Sequence, residues 1–432
     1  MSGQTMTQKI LAKSSGRARV EPGETVVAKI GMFSSLDATF YVEVFREKKL
    51  KVFDPKRVIF CFDHFFQPEW FPQVASKEHP KIRAFAREQG IPPENIYDLG
   101  RNGISHQIPV EDGWAMPGTI TAGTDTQFAT AGAANTLAIP LLGTTGAALL
   151  TGEMWIVVPE VVRVDLTGTL AKGVLGKDVG YRLLHDLSDI VNGRVIEFAG
   201  EGIQSLPLDV RMGICNCAVQ MGALSMIFPF DDTLMNHLDQ CARFPYEPVA
   251  ADPDASYFAA YGYDLSTMDC LIAGPGEIDH IRPARELSGL PISAAYIGSC
   301  SSGRFEDLAL AAEVLKGRKV HPRVRLAITP ISAATMRKAE DAGLIKIFAD
   351  AGAMVTQPGC GSCYSANLGP IKLGDGERCI SSSVETVKGR MGSAEAEILL
   401  GNAALVAASA VAGEITHPNG LLMKTEIAGG AA

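Results

Sequence analysis

Three cysteines are the residues whose spacing most directly suggests chemistry. Cys360 and Cys363 form a C-x-x-C in "QPGCGSC", a glycine-rich turn directly after an apolar run, and Cys300 stands in "YIGSCSSGRFEDL", where an apolar run stops and a helical one begins. Two thiolates at this spacing can face one metal, and the glycines let backbone N–H groups approach sulfur. Alone, the pair is compatible with zinc, redox or cluster chemistry, and Cys300 alone reads as a core residue. A structural zinc site asks for a fourth ligand and usually a second close pair, and nothing near Cys379 supplies them. A thioredoxin-like pair would sit early in the chain, at a helix start. Taken together, three thiolates on two strand-end turns would hold three corners of a four-iron cluster and leave one iron open as a Lewis acid.

The elements that must position these turns alternate between apolar extended runs and helical patterns, which predicts an α/β fold. "TQKILAKSSG" reads as a short helix, "KRVIFCFDHFF" as a buried strand ending in polar residues, "HPKIRAFAREQG" as a helix stopped by glycine, and "NIYDLG" as a short strand. "MPGTITAGTD" is a strand leading into Asp125, and "TQFATAGAANTLAIPLLG" reads as a helix of small residues. A β-rich stretch, "EMWIVVPEVVRVDLTGTL", precedes a helix at "GKDVGYRLLHDLS", with Lys177 and Asp178 near its start. "RFPYEPVAADPDASYFAAYGYDL", rich in Pro, Asp and aromatics, reads as a long connection. Alternation then resumes through "AAYIGSC", "EDLALAAEVLKG", "RVRLAITP", "SAATMRKAEDAG" and "AGAMVTQPGCGSC", and closes with one long small-residue helix, "AEAEILLGNAALVAASAVAG". These shifts predict three domains, 1–160, 161–275 and 276–432, with no internal repeat and no low-complexity tail.

Composition narrows the function. With 432 residues, 47% of them hydrophobic and 20% charged, and a mean hydropathy of +0.12, the chain has the makings of well-packed cores and little disorder. Neither "AANTLAIPLLGTTGAALLTG" nor "AALVAASAVAG" is strongly apolar over 18 residues, so no membrane span is predicted, and the start lacks the apolar core of a signal peptide. A cytoplasmic location is expected, and the first six residues read as a tag or an alternative start. A formal charge of −9 excludes a general nucleic-acid binder. Nine unevenly spaced cysteines do not form a disulfide framework, which leaves some of them for metal or cluster ligation.

"IGSCSSGRFEDL", "QPGCGSC" and "GRMGSAEAEILL" resemble the aconitase superfamily, specifically the large subunits of 3-isopropylmalate dehydratase and homoaconitase. The resemblance runs through nearly the whole chain and includes "FDHFF" (Asp63, His64), "GISHQ" (His106), "PGTITAGTDT" (Asp125) and "RMGICNCAVQMGA" (Arg211 to Ala223). It implies a three-domain α/β fold around a 4Fe-4S cluster held by Cys300, Cys360 and Cys363. It also implies acid–base partners at Asp63, His64 and His106, with Asp125 orienting a histidine or a water. A hydroxyl leaves poorly, so it must be held by the Lewis acid and protonated as it departs.

The chain departs from the family's pattern in the predicted pocket. Where relatives read G-D-S-H-T, it has "GTDTQF", so Thr126 replaces serine, Gln127 histidine and Phe128 threonine; where they have a glutamate in I-E-M-G-A, it has Gln220. In "CISSSVETVKGRMGS", aligned with S-N-R-N-F-x-G-R, Val384 stands at the asparagine and Glu385 at the first arginine, while Arg390 keeps the second. Leu36 stands where many relatives place a polar residue. Arg390 would fork onto a substrate carboxylate, and an inward Glu385 would repel one. With all three cysteines kept, these changes point to an altered substrate, one with fewer carboxylates or with an apolar or cationic group near Phe128, Val384 and Glu385.

The family's complete site also uses a small swivelling domain carrying G-S-S-R, a motif this chain lacks, so a separate small-subunit partner and a hetero-oligomer are expected. The leading expectation is a hydro-lyase acting on a hydroxy-acid or an unsaturated acid. A cluster-assisted hydration, ring opening or hydrolysis, and a non-catalytic regulatory relative, are the open alternatives.

Overall fold

The computed structural model describes residues 3–64, 72–363 and 369–422. Phe65 and Phe66 of "FDHFF", residues 364–368 after Cys363, Met1 and Ser2 of the start, and the tail 423–432 lie outside them.

Three sheets, parallel except at one edge, carry the architecture. The first runs Ile96–Tyr97, Val58–Cys61, Met32–Ser35, Ile120–Gly123, Leu137–Pro140, every pair parallel. Its interior strands are buried on both faces: Val58–Cys61 is an unbroken apolar run, and Met32–Ser35 and Ile120–Gly123 admit only small polar residues. The second runs Ser225–Ile227, Val195–Ala199, Val161–Thr167, Ala259–Asp264, again parallel. In the third, Glu397–Leu400, Arg378–Ser381, Ala294–Gly298, Arg325–Thr329 and Met354–Val355 are parallel, and Leu271–Ala273 with Ile281–Pro283 adds an antiparallel edge. A small antiparallel ribbon pairs Thr25–Lys29 with Glu153–Val157.

The first sheet and the parallel part of the third have the same doubly wound order: in each, the earliest strand lies in the middle and the chain winds outward to both sides. Such sheets bind ligands at the carboxyl ends of the strands where the winding reverses. In the first sheet that point lies between Met32–Ser35 and Ile120–Gly123, and Asp125 follows the latter. In the third it lies between Ala294–Gly298 and Arg378–Ser381, and Cys300 follows the former.

Three expectations need correction. The helix expected over "TQFATAGAANTLAIPLLG" is a 3-10 run, Thr126–Ala134, then the strand Leu137–Pro140. Asn135 separates them in the left-handed region (φ 56°), its amide fixed to the Phe228 and Val249 carbonyls. The single helix expected over "AEAEILLGNAALVAASAVAG" is the strand Glu397–Leu400 and the helix Ala403–Ala412, which Asn402 caps by accepting from Leu405 N at 2.8 Å. The long connection ends earlier than its composition suggests, because Ala259–Asp264 is an edge strand.

Candidate active site

Cys300, Cys360 and Cys363 are brought together from two loops of the third sheet and are 5%, 7% and 3% exposed. Ser299 precedes Cys300 in the left-handed region (φ 68°), a conformation that is strained for a residue with a side chain, and its hydroxyl accepts from Cys300 N at 2.6 Å. In the C-x-x-C turn, Gly361 has φ 58°, and a Cβ there would lie 2.2 Å from the Tyr296 hydroxyl. That hydroxyl donates to the Cys360 carbonyl at 2.9 Å, so only glycine fits under the anchored turn. Burial, then the neighbouring Cys363 and Cys360 sulfurs, raises the Cys300 thiol well above its ordinary range. Burial also lifts Cys360, to about 11 against the opposing pull of His64. As thiolates these sulfurs would repel one another, and a cationic group bound between them would offset that repulsion.

Zinc held by three thiolates at about 2.3 Å would draw the sulfurs to within about 4 Å of one another. Among the described residues, the groups whose donor atoms all lie within 4.8 Å do not include these three cysteines. Their all-sulfur donor set fits an iron–sulfur group.

The first sheet meets this site through its strand-end loops. Cys360 N donates to the Asp63 carbonyl at 3.2 Å, which locks the two loops together. The Asp63 carboxylate accepts from Ser105 N at 2.8 Å and faces His64 Nδ1 at 2.9 Å. His64 Nε2 lies 3.4 Å from Asp125, and the ring also reaches the Cys360 sulfur. His64 N donates to Asp37 at 3.3 Å, while the other Asp37 oxygen faces His79 at 3.2 Å. Burial opposes a charged ring at His64, but Cys360 and Asp63 outweigh it and hold the pKa well above the ordinary imidazole value. His106 behaves oppositely: its Nε2 is 3.7 Å from Asp125, yet neither ring nitrogen has a hydrogen-bond partner, and burial pushes its pKa down to about 4. The two histidines are thus shifted in opposite directions, His64 up and His106 down.

The replaced residues also come together. Gln127 N donates to Asp125 at 2.8 Å, and the Thr126 hydroxyl donates to Gln127 Oε1 at 2.6 Å. With the Gln220 amide oriented by its neighbours, its oxygen accepts from Gln127 Nε2 at 3.2 Å and its nitrogen donates to the Asn216 carbonyl at 3.1 Å. The side-chain oxygen of Asn216 lies 4.0 Å from the Cys300 sulfur. Two positions where the family pattern has histidine and glutamate thus form one neutral amide pair beside the cysteines. Arg390 Nε donates to the Cys363 carbonyl at 2.6 Å, and burial raises the Glu385 pKa against the pull of Arg390. Phe128 is a correction: it is fully buried and packs against Gly123, so it belongs to the core and not to a ligand-facing wall.

Sequence reasoning missed Asn216, Arg304 and Lys177 as site residues. Lys177 showed a signal, a charged side chain in the first turn of an amphipathic helix, Gly176–Val191, on positions that the periodicity buries.

A loop-built site at the switch points of two parallel sheets, with three buried thiols and a carboxylate–histidine array, has the arrangement of a hydro-lyase centre. The chain belongs to the aconitase family: the profile of that family, described as aconitate hydratase, matches residues 71–283 and 276–413. By class it is a hydro-lyase.

Its relatives bear this out over full length. It is 38% identical over 423 residues to the probable 3-isopropylmalate dehydratase large subunit of Methanothermobacter thermautotrophicus, covering 96% of this chain and 99% of that one. The 3-isopropylmalate dehydratase large subunit of Acetivibrio thermocellus is 39% identical over 428 residues, with 97% and 100% covered. That of Mycolicibacterium smegmatis is 38% identical over 422 residues, with 96% of each covered. Among solved structures, aconitase X of Thermococcus kodakaraensis (holo-form) aligns over 83% of each chain, with a TM-score of 0.48 and 12% identity. Among the described residues, no helix is long and apolar enough to cross a membrane.

Proposed function

We propose that the chain is the large subunit of a cytoplasmic, iron–sulfur-dependent hydro-lyase acting on a hydroxy-acid or an unsaturated carboxylic acid other than ordinary isopropylmalate. The observation that carries this reading is His64, placed between Asp63 and Asp125 and in reach of the Cys360 sulfur. Cys300, Cys360 and Cys363 would hold a 4Fe-4S cluster, which when bound supplies a Lewis-acidic iron that grips the substrate hydroxyl and carboxylate. His64, whose pKa is shifted upward, delivers a proton from Nε2 to the departing hydroxyl, with Asp63 fixing the ring through Nδ1. Asp125 orients both histidines from its two oxygens, and His106 stays neutral beside it. Arg390 holds a substrate carboxylate.

The base that removes the carbon-bound proton comes, in this reading, from a separate small subunit with a swivelling domain; the relatives' designation as large subunits supports it. The three units 1–160, 161–275 and 276–432 belong to the same proposal, supported by sheets spanning residues 32–140, 161–264 and 271–400.

The substrate reading rests on the amide pair. Gln127 and Gln220 place two neutral donors and acceptors where an ionisable pair would act, and Glu385 adds negative charge beside Arg390. Both disfavour a second or third carboxylate. The test is a panel of hydroxy-acids and unsaturated acids, 3-isopropylmalate included, given to the anaerobically purified complex with solvent-oxygen exchange as the readout. Preference for a less charged acid supports the proposal, and preference for 3-isopropylmalate overturns its substrate claim.

A further inference from the structure

Lys177 and Arg304 are buried to 2% and 0% exposure, and neither has a carboxylate within 4.0 Å among the described residues. The other fully buried cation among the described residues is paired: Arg211, also 0% exposed, forks onto Asp231 at 2.6 and 2.9 Å. A buried cation without a counter-charge is costly, and one that persists calls for an anion.

Both cations are tied to Ser301, the residue after Cys300. Lys177 Nζ donates to the Ser301 hydroxyl at 2.7 Å and to the Ser382 and Ser383 carbonyls at 3.0 and 2.5 Å. Arg304 Nη1 donates to the Ser301 carbonyl at 3.4 Å and Nε to Gln107 at 3.1 Å, while Nη2 has no partner. The nearby carboxylates are engaged elsewhere: Asp178 accepts from Leu175 N, Leu271 N and Asn402, and Asp307 from Arg304 N. Burial lowers the Lys177 pKa, and the groups that oppose this are the sulfurs of Cys217, Cys363 and Cys300 and the Asp178 carboxylate.

We propose that Lys177 and Arg304 are the built-in counter-charges of the three-thiolate site, and that they raise the reduction potential of a cluster held there and help retain it. The inference rests on the proposed cofactor. A cluster with three thiolates in a dry interior carries net negative charge that grows on reduction, so fixed cations nearby favour the reduced form. Lys177 arrives from the helix Gly176–Val191, and Arg304, which precedes the helix Phe305–Leu315, is steadied by Gln107, so the charges are placed before any cluster arrives.

The test is a dye-mediated redox titration, followed by EPR, of the chain reconstituted anaerobically with ferrous iron and sulfide. Lys177→Gln and Arg304→Gln keep hydrogen-bonding capacity and remove charge; Arg304→Lys keeps charge and alters shape. Each glutamine variant should shift the one-electron equilibrium against reduction by at least tenfold, about 59 mV, and Arg304→Lys should shift it less. A glutamine variant that keeps its melting temperature yet loses the cluster, while Arg304→Lys retains it, supports the same conclusion. If Lys177→Gln does not fold, the two Arg304 variants carry the comparison. Loaded glutamine variants with the wild-type potential would overturn the inference and leave the cofactor proposal standing, because a purely structural clamp moves stability and not potential. A wild-type chain that takes up no iron and sulfide would overturn both.

Discussion

Between pH 7 and pH 5 the apo chain should lose about 2 kcal/mol of stability through His106 alone. The ring is 0% exposed and neither nitrogen has a hydrogen-bond partner, and Asp125 and Asp63 offset only part of the cost of charging it. Burial holds its folded-state pKa at about 4, whereas an imidazole in the unfolded chain titrates near 6.5. Between those values the unfolded chain binds a proton that the folded chain refuses. The contribution is therefore fully present above pH 6.5 and drains away as pH falls toward 4. The whole window is about 2.5 pH units, or about 3 kcal/mol at 1.36 kcal/mol per unit, and pH 5 lies partway through it. The assay is urea unfolding of wild type and His106→Gln at pH 7 and pH 5, in which groups common to both chains cancel. Wild type should lose about 2 kcal/mol more than the variant, and in histidine-labelled protein the His106 resonance should not titrate above pH 5. Parallel losses, or a His106 midpoint near 6.5, would refute the reasoning and remove the neutral histidine from the proposed chemistry.

Other outcomes follow from the same geometry. Asp231→Ala strands the fully buried Arg211, whose remaining bonds go to the Leu206 and Ile203 carbonyls, and should cost about 3–5 kcal/mol by denaturant melt. Gln127→His and Gln220→Glu touch one another, so in a double-mutant cycle on kcat/KM they should couple by about 0.5–3 kcal/mol, with the double variant gaining on more highly carboxylated acids. Glu385→Gln removes a negative charge beside Arg390 and should lower the KM of a dicarboxylic acid by about tenfold, while Arg390→Gln should raise it.

Strands such as Val58–Cys61 and Ala294–Gly298 were legible because parallel sheets covered on both faces leave unbroken apolar runs. The misreadings fell where small residues permit either state. Glu397–Leu400 merges by composition into the helix after it, and only the capping asparagine, Asn402, marks the border. In Thr126–Ala134, tight packing decides: a Cβ on Gly132 would lie 1.7 Å from the Met226 carbonyl, a contact far away in sequence. The cysteines were visible as a motif, and the acid–base residues through resemblance. Cys360 N on the Asp63 carbonyl, Gln127 on Gln220, and Lys177 on Ser301 are pairings across 93 to 297 residues, which no periodicity encodes.

The central claim is that Cys300, Cys360 and Cys363 together hold an iron–sulfur cluster. Anaerobic reconstitution of wild type and Cys300→Ser with ferrous iron and sulfide, with bound iron, bound sulfide and the broad visible absorption measured after gel filtration, tests it most directly. The account predicts a brown wild-type protein with iron and sulfide in equal amounts, and a Cys300→Ser protein that keeps its fold and loses the band. Equal iron, sulfide and absorption in the two proteins would contradict it.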